Sequence, residues 1–443
     1  MKAVRTSGRP AASGYRWYVL SLLVLVYAFH HMDRQVVTLL LEPIKREFLL
    51  SDTQLGFLAG LSYAISFGIA GIPLGLLVDR VHRVRLLSVL LTVWSGLTAL
   101  CGFAGGFASL VIARIGIGAA ESGGTPTNVS LIADYFKRKD RPTAMGIYYM
   151  GTQIGTIIGF AVAAIVAQKY GWRAGFLVAG IPGLLLMLLV LTTIKEPRRG
   201  DADEDQEVPA ASRSAPVAAS SLGQTLGFIW SQRSQVHTMT GIVIAMAVTA
   251  GMGAWLAPLM IRLYGINLKT AGLTLALGVA TFGALGSFVG GMLASRVGTR
   301  NVANLPKLTA LATALTVPTA LLGILGGSLP LTIVGFAAQH FFNAMIVSTG
   351  YALSLELTRS TMRGTTMALL QVLCNVCGYG FGPQFVGLLS DRFNPSFGAN
   401  ALPYAMALLA LGNIWATVHL LVAAKWAPGD LLRAAAFSPQ TSA

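Results

Sequence analysis

Charged residues are scarce in this chain: Asp, Glu, Lys and Arg make up 11% of its 443 residues, whereas hydrophobic residues make up 54%. Soluble domains carry roughly a quarter charged residues. A chain so poor in charge does not fit a soluble enzyme or a disordered regulator. Its apolar content matches about twelve segments of roughly 20 residues, the length that crosses a bilayer. The composition therefore indicates an all-α integral membrane protein.

Cysteine is also rare. The three cysteines, Cys101, Cys374 and Cys377, all lie inside apolar runs, so no extracellular disulfide framework is predicted. Cys374 and Cys377 form a C-x-x-C pair, but no His or Asp stands near them to complete a metal site. We expect no metal, no cofactor and no enzymatic activity, because no nucleophile stands with a base.

Apolar runs broken by short polar loops predict twelve transmembrane helices. The runs fall near 17–40, 55–78, 85–104, 107–133, 143–167, 174–194, 236–260, 272–294, 303–325, 329–356, 364–388 and 402–425. Of the 32 Lys and Arg residues, 23 lie in the termini or in loops on the same side as the termini. The positive-inside rule makes that side cytoplasmic. The net charge of +15 is then a topology signal with some anionic-lipid contact, and no nucleic-acid partner is expected.

An internal repeat divides the chain into two pseudo-symmetric halves. The segment GLLVDRV at 75–81 is echoed by GMLASRV at 291–297, and RPTAM at 141–145 is echoed by RGTTM at 363–367. Between the halves, an acidic cluster and an Ala/Ser/Pro stretch indicate a solvated linker. We predict six-helix bundles at 1–194 and 236–443, joined by a cytoplasmic linker at 195–235. Two such parallel halves are typical of secondary transporters.

The loop after span two contains Gly75-x-x-x-Asp79-Arg80-x-x-Arg83, which resembles the signature of the major facilitator superfamily. Gly75 allows close helix approach, and Asp79 is expected to cap the N-terminus of a neighbouring helix, that of span eleven. Arg83 is expected to pair with Asp134 at the cytoplasmic end of span four. These residues are candidate gating groups. The alternative is an ordinary basic loop.

Four charged residues stand at membrane depth, where such groups are costly and usually functional. Asp33 and Arg34 are neighbours in span one, so they point about 100° apart and are not expected to bond side by side. Arg114 and Glu121 in span four are seven residues apart and share one helix face. Two acids and two bases in one low-dielectric site can exchange partners on protonation. Asp33 and Glu121 are therefore the predicted proton-coupling pair, with a purely structural ion-pair network as the alternative.

Arg34 and Arg114 are predicted to bind substrate together with a set of neutral polar residues. Tyr149, Thr152 and Gln153 form a stripe on span five; His340 and Asn343 lie on span ten, and Gln371 and Asn375 on span eleven. Hydrogen bonding between helices is the alternative for each neutral residue. Because the mid-membrane charges all lie in the first half, we expect a cavity with one charged wall and one apolar wall. Such a cavity fits an amphipathic substrate.

Several stretches narrow the resemblance further. The segments MDRQ at 32–35, EPIK at 42–45 and SDTQLG at 51–56 resemble the start of spinster-type transporters, as do Arg114-x-x-x-Gly118-x-x-Glu121 and the stretch 381–391. The chain departs from the family where Ala119 and Ala120 separate Gly118 from the acid. Spinster proteins export or redistribute sphingosine phosphates and lysophospholipids, and their bacterial relatives are regarded as proton-driven. By this resemblance Asp33, Arg34, Arg114 and Glu121 become coupling and head-group residues.

The sequence thus predicts a monomeric, proton-coupled transporter of an amphipathic lipid in a bacterial cytoplasmic membrane, working by alternating access. The first alternative is a proton-coupled carrier of small organic anions such as sugar acids. A multidrug exporter is a further alternative. A non-transporting receptor or scaffold would keep the fold without needing membrane-embedded carboxylates.

Overall fold

The computed structural model describes residues 13–137, 139–199 and 221–435, and the described residues form helices and loops without a strand. The acidic cluster predicted for the linker, at 201–207, lies outside the described residues. So do Lys2, Arg5, Arg9, Arg138 and Arg213, which contributed to the count of cytoplasmic charges.

The first half consists of six membrane-crossing elements, the fourth of which is broken. Helix α1 spans Ser13–Phe48 and α2 spans Asp52–Val78, with a π-helical stretch at Phe57–Leu61. The remaining helices are α3 (Arg83–Cys101), α4 (Phe107–Glu121), α5 (Gly124–Tyr135), α6 (Arg141–Tyr170) and α7 (Trp172–Thr193). A turn at Ser122 and Gly123 separates α4 from α5. Gly171, with a φ of 86°, makes the tight turn between α6 and α7 that a residue with a side chain would resist.

The second half begins with a short helix that runs into its first crossing. The helices are α8 (Leu222–Ser231), α9 (Arg233–Tyr264), α10 (Leu268–Thr274, Leu275–Ala280 in π form, and Thr281–Asn301), α11 (Leu305–Leu325), α12 (Leu329–Glu356), α13 (Arg363–Leu373, Cys374–Gly380 in π form, and Phe381–Phe397) and α14 (Ala401–Ala435). Helix α8 lies within the predicted linker and packs Thr225 and Ile229 inward. Its opposite face exposes Leu222, Leu226 and Trp230.

Every predicted span corresponds to a helix. Eight helical stretches within the described residues are long and apolar enough to cross a membrane, and two of these, Leu268–Leu325 and Arg363–Ala434, each contain two predicted spans. The other two predicted spans are α1 and the α4–α5 pair. Helices α4 and α5 have 15 and 12 residues, so neither crosses a membrane alone, and α1 carries the charged Asp33 and Arg34 within its apolar part. The all-helical, twelve-span prediction is confirmed.

Small residues set how closely the helices approach. On α6, Gly151, Gly155 and Gly159 face α1, and a Cβ at Gly155 would collide with the Ala28 carbonyl oxygen. The absence of side chains at these three positions lets α6 pack directly on α1. The contact brings the polar part of α1, around Asp33, against the other helices of its own half.

Within the described residues, the two halves contact each other at the outer ends and in the middle of the membrane, and they are apart at the cytoplasmic ends. At the outer ends, a Cβ on Gly56 of α2 would lie 2.6 Å from the Pro383 carbonyl oxygen of α13, and one on Gly272 of α10 would lie 2.8 Å from the Phe160 carbonyl oxygen of α6. At the cytoplasmic ends of the same four helices the glycines stand open, with no other atom within 4 Å of such a Cβ: Gly75, Gly146, Gly291 and Gly364. The structure is therefore inward-facing.

Candidate functional site

The centre of the candidate site is Tyr63 of α2, which links α1 to α4. Its hydroxyl donates a hydrogen bond to Oε2 of Glu121 and accepts one from Nε of Arg34 at 2.9 Å. The Arg34 guanidinium carbon also lies 4.4 Å from the centre of the Tyr63 ring. Helix α2 comes this close because Gly118 of α4 has no side chain, and a Cβ there would collide with Tyr63. Tyr63 therefore connects a base of α1 with an acid of α4.

Glu121 is fully buried beneath this tyrosine. Its Oε2 lies 3.5 Å from Nε2 of His30 and 3.7 Å from Nε of Arg34. The other carboxylate oxygen, Oε1, has no hydrogen-bond partner among the described residues. One oxygen is thus held by three groups while the second remains available to carry a proton.

Asp33 and Arg34 point in different directions, as their positions on α1 predicted. Asp33 is buried against α3, where the Thr98 hydroxyl donates a hydrogen bond to Oδ2 at 3.1 Å. Its Oδ1 has no hydrogen-bond partner in the part of the chain that the structure describes. The Arg34 side chain is 17% exposed and faces the space between the halves. Asp33 is therefore a buried acid and Arg34 an accessible base.

Arg114 is placed differently from the sequence-based expectation of a head-group ligand. It is buried, and its guanidinium carbon lies 4.9 Å from the centre of the Tyr63 ring. Its Nε and Nη1 make no hydrogen bond to any described residue, although it interacts electrostatically with both Asp33 and Glu121. In this inward-facing form Arg114 lies behind Tyr63, so of the two arginines only Arg34 can meet a substrate directly.

Among the neutral candidates of the second half, Asn375 is brought to the charged cluster. Its Oδ1 accepts a hydrogen bond from Nη1 of Arg34 at 3.5 Å, and its Nδ2 donates to the Gln371 carbonyl oxygen. The Gln371 side chain accepts a bond from the Tyr351 hydroxyl at 3.3 Å. Tyr379 of the same helix lies 6.0 Å from the Arg34 guanidinium. Helix α13 thus supplies an amide and one aromatic ring opposite the arginine.

The other neutral candidates lie outside this cluster. His340 contacts Gln339 on its own helix, and the side-chain amide of Asn343 is buried without a partner among the described residues. On α6, Tyr149 is largely exposed and packs edge-on against Tyr27, while Thr152 and Gln153 are partly buried. The stripe on α6 therefore lies beside Tyr27 of α1, and neither residue of the pair on α12 contacts Arg34 in the part of the chain that the structure describes.

The cytoplasmic network around Arg83 agrees with one prediction and extends it. Arg83 is buried and forms the expected ion pair with Asp134. Its Nε also binds Oε1 of Glu196 at 2.7 Å, just after α7. Partial burial raises the pKa of Glu196, but hydrogen bonds from the Val84 amide and from Arg83 outweigh it and hold that pKa below its usual range. The start of the predicted linker is thus fastened to the first half.

The predicted latch at Asp79 is open in this conformation. Asp79 is 77% exposed, lies 3.6 Å from Nη1 of Arg199, and does not cap α13. Gly75 likewise makes no close helix contact, and Arg80 is exposed. The reason is that the cytoplasmic ends of α2 and α13 are apart in the inward-facing form.

Tyr63 and Tyr379 are not recognisable from the sequence, because tyrosines in an apolar run have the pattern of core residues. Glu42, Asp52, Arg262 and Asp391 have the pattern of loop charges or family markers. In the structure these four join the halves at the outer surface. Their opposite charges on spans one, two, seven and eleven were the available signal.

Known proteins with similar sequences are membrane transporters. Residues 23–318 match the sequence profile of the Major Facilitator Superfamily. An MFS-type efflux pump of Mycolicibacterium smegmatis is 25% identical over 93% of both chains. A probable L-galactonate transporter of Escherichia coli is 29% identical over 61% of this chain and 60% of its own length. The sphingosine-1-phosphate transporter SPNS2 of Danio rerio is 23% identical over 86% of this chain and 78% of its own.

The fold is also similar to a solved structure. The crystal structure of a bacterial homolog of the human lysosomal transporter Spinster, inward-facing and unoccupied, has a TM-score of 0.82 and 26% identity, and the match covers 97% of this chain and 100% of that one. Its inward-facing, occupied form gives a TM-score of 0.79. The sequence match and the fold lead to one conclusion: the chain belongs to the Major Facilitator Superfamily of membrane transporters, and it resembles the spinster type.

Proposed function

We propose that this transporter couples proton movement to transport of an amphipathic lipid of the sphingosine phosphate or lysophospholipid class. It would act by alternating access, as a monomer in a bacterial cytoplasmic membrane, with the proton gradient as its driving force. The observation that carries the proposal is the arrangement at Arg34. One guanidinium faces the space between the halves and is tied through Tyr63 to the buried Glu121.

In this mechanism the substrate's anionic head competes for Arg34. When the head binds, Arg34 loosens its hold on Tyr63, and Glu121 loses part of the positive field that favours its ionised form. A proton then binds at Glu121 or at Asp33, whose oxygens Oε1 and Oδ1 lack partners within the described residues. Since both acids share one site with Arg114, they would titrate as a coupled pair.

The wall opposite Arg34 supports an amphipathic substrate over a wholly polar one. Helix α13 contributes Asn375, Tyr379 and further uncharged residues, and no Asp, Glu, Lys or Arg of α13 contacts Arg34 in the part of the chain described. Aromatic rings and aliphatic side chains accept a hydrocarbon tail without the cost of desolvating charge. The head group would therefore lie toward the first half and the tail along the second.

The test is lysophospholipid movement in proteoliposomes under an imposed pH gradient. Wild type is compared with Asp33→Asn and Glu121→Gln, and with Glu356→Gln as the matched control, because Glu356 is an exposed acid at the cytoplasmic end of α12. We expect gradient-driven movement in wild type and the control, and its loss in the two buried-acid variants. Equal movement in all four proteins would contradict the coupling mechanism.

A carrier of small organic anions is the second candidate. It is favoured by the relative named as a probable L-galactonate transporter and by another from Escherichia coli named as a hexuronate transporter. A sugar-acid carboxylate would bind Arg34 as a phosphate head does. Uptake of a sugar acid by wild type, without lysophospholipid movement, would establish this alternative. Export of structurally unrelated drugs would instead favour the efflux pump that the mycobacterial relative represents.

A further inference from the structure

A second cluster of charges joins the two halves, far from the site described above. It lies at the outer ends of the helices, and we call it the outer cluster. The first half supplies Glu42, Lys45 and Asp52, and the second half supplies Arg262, Ser390 and Asp391. Transport requires that the halves separate on this side, so these contacts must break once in every cycle.

Asp391 of α13 caps the N-terminus of α2. Its two carboxylate oxygens accept hydrogen bonds from the backbone amides of Asp52 at 2.9 Å and Thr53 at 2.7 Å, and from the Thr53 hydroxyl at 2.6 Å. The first amides of a helix have no partner within it, and the helix dipole favours an anion there. Ser51, in the helix's own segment, accepts a hydrogen bond from the Gln54 amide. Asp391 of the second half adds a cap on the two amides that precede it.

Arg262 of α9 makes the second bridge. Its Nη1 and Nη2 each lie 2.8 Å from an oxygen of Asp52, and its Nε lies 2.8 Å from Oε2 of Glu42. Asp52 also accepts a bond from the Ser390 hydroxyl at 2.6 Å. Both acids are buried, so this bidentate contact is worth more than an exposed ion pair.

We propose that the outer cluster is the outer gate latch of this transporter, with Asp391 and Arg262 as its moving parts. The latch stabilises the inward-facing form by tying α13 and α9 to α2 and α1. It is the counterpart of the predicted Asp79 latch. Asp79 stands at the cytoplasmic end of α2 and Asp391 at the outer end of α13, so one helix pair carries an acid at each end of its interface.

The charges on each side explain how such a latch can open. Asp52 keeps Lys45, its ion-pair partner on α1, and Glu42 keeps Arg46, at 3.3 Å. The second half is left with Arg262 and Asp391, which are opposite in charge. Each half therefore separates with its charges balanced, and no buried acid of the first half is left without a base.

The inference requires only that the protein alternates between two states. It does not depend on which substrate or ion is moved, so it can be tested without either. Spin-label pairs in lipid nanodiscs report the distance between the halves. One pair of labels is attached at the outer ends, at Leu49→Cys and Phe397→Cys. A second pair is attached at the cytoplasmic ends, at Leu76→Cys and Arg363→Cys. Both pairs are made in a chain whose three native cysteines are replaced by serine.

The variants are Asp391→Asn and Arg262→Gln. The control is Glu47→Gln, because Glu47 is an outer acid bonded to Trp172 and Arg173 of its own half. We expect each latch variant to raise the ratio of outward- to inward-facing molecules at least about tenfold, as loss of a hydrogen-bonded charge pair implies. The outer distance lengthens and the inner distance shortens together, while the control matches wild type.

Two results would overturn the proposal. The first is an outer distance in both latch variants that equals that of wild type. The second is widening in Glu47→Gln as large as in Asp391→Asn, since that would trace the effect to general loosening of the outer surface. Because the readout contains no substrate, failure of the lipid or proton proposal would leave this result unchanged.

Discussion

The substitution Tyr63→Phe isolates the hydroxyl at the centre of the site. Phenylalanine keeps the ring on which Arg34 and Arg114 stack, at 4.4 and 4.9 Å. It removes the hydrogen bond to Glu121 and the one accepted from Arg34. Because Oε1 of Glu121 already lacks a partner among the described residues, the carboxylate then retains only His30 at 3.5 Å and Arg34 at 3.7 Å.

The expected magnitude follows from this loss. A hydrogen bond to a charged group is worth about 1.5–3 kcal/mol. Losing it disfavours the ionised carboxylate by that amount, which corresponds to about one to two pH units. In proteoliposomes, the midpoint of the pH dependence of transport is expected to move upward by about this much, with a smaller effect on the maximal rate.

The matched control is Tyr149→Phe, which removes a hydroxyl from an exposed tyrosine of the same half, packed against Tyr27. Its pH profile should coincide with that of wild type. An unchanged profile in Tyr63→Phe, or one displaced toward acid, would show that Arg34 alone holds Glu121. That result would refute the role given to the tyrosine.

Three further predictions concern the fold. Arg83→Ala leaves Asp134 and Glu196 without their shared base and should lower the free energy of unfolding by about 3–5 kcal/mol. Its Tm should therefore be lower than that of the exposed-residue control Arg85→Ala. Because the pKa of Glu196 is lowered, the stabilisation that Glu196 gives is present at neutral pH and lost as pH falls through that pKa, so the Tm difference between wild type and Glu196→Gln should close in acid. Gly155→Val forces a side chain into the Ala28 backbone and should abolish a monodisperse gel-filtration peak, whereas Gly146→Val, in open space on the same helix, should not. The exposed face of α8 should lie in the inner leaflet, so brominated lipids should quench less tryptophan fluorescence in Trp230→Phe than in wild type; equal quenching would place that face in water.

Much of the architecture could be predicted because a helix that crosses a membrane needs a long apolar run, which is visible directly in the sequence. Long apolar runs and the distribution of basic residues predicted the helices. Helical geometry alone predicted that Asp33 and Arg34 would diverge. The Arg83–Asp134 pair was predicted from topology, because Arg83 begins α3 and Asp134 lies near the end of α5, both on the cytoplasmic side.

Contacts between the halves could not be predicted in the same way. Asp52 and Arg262 are 210 residues apart, and no local pattern pairs them. The open Asp79 latch has a different cause: the same sequence must satisfy an inward- and an outward-facing structure, and a latch that closes in one is open in the other. Tyr63 was missed because its role comes from the hydroxyl meeting two other helices.

The π-helical stretch of α13 has a consequence for how this chain tolerates changes in length. Cys374–Gly380 lies between the cytoplasmic part of α13 and the outer part that bears Asp391. A π segment accommodates one residue more than an α-helix would over the same rise. Deleting a single residue there would restore regular α-helix over the same rise, so the part beyond it would keep its orientation and Asp391 would still face α2. Deleting a residue between Phe381 and Asp391, where the helix is already regular, would instead turn Asp391 by about 100° away from α2.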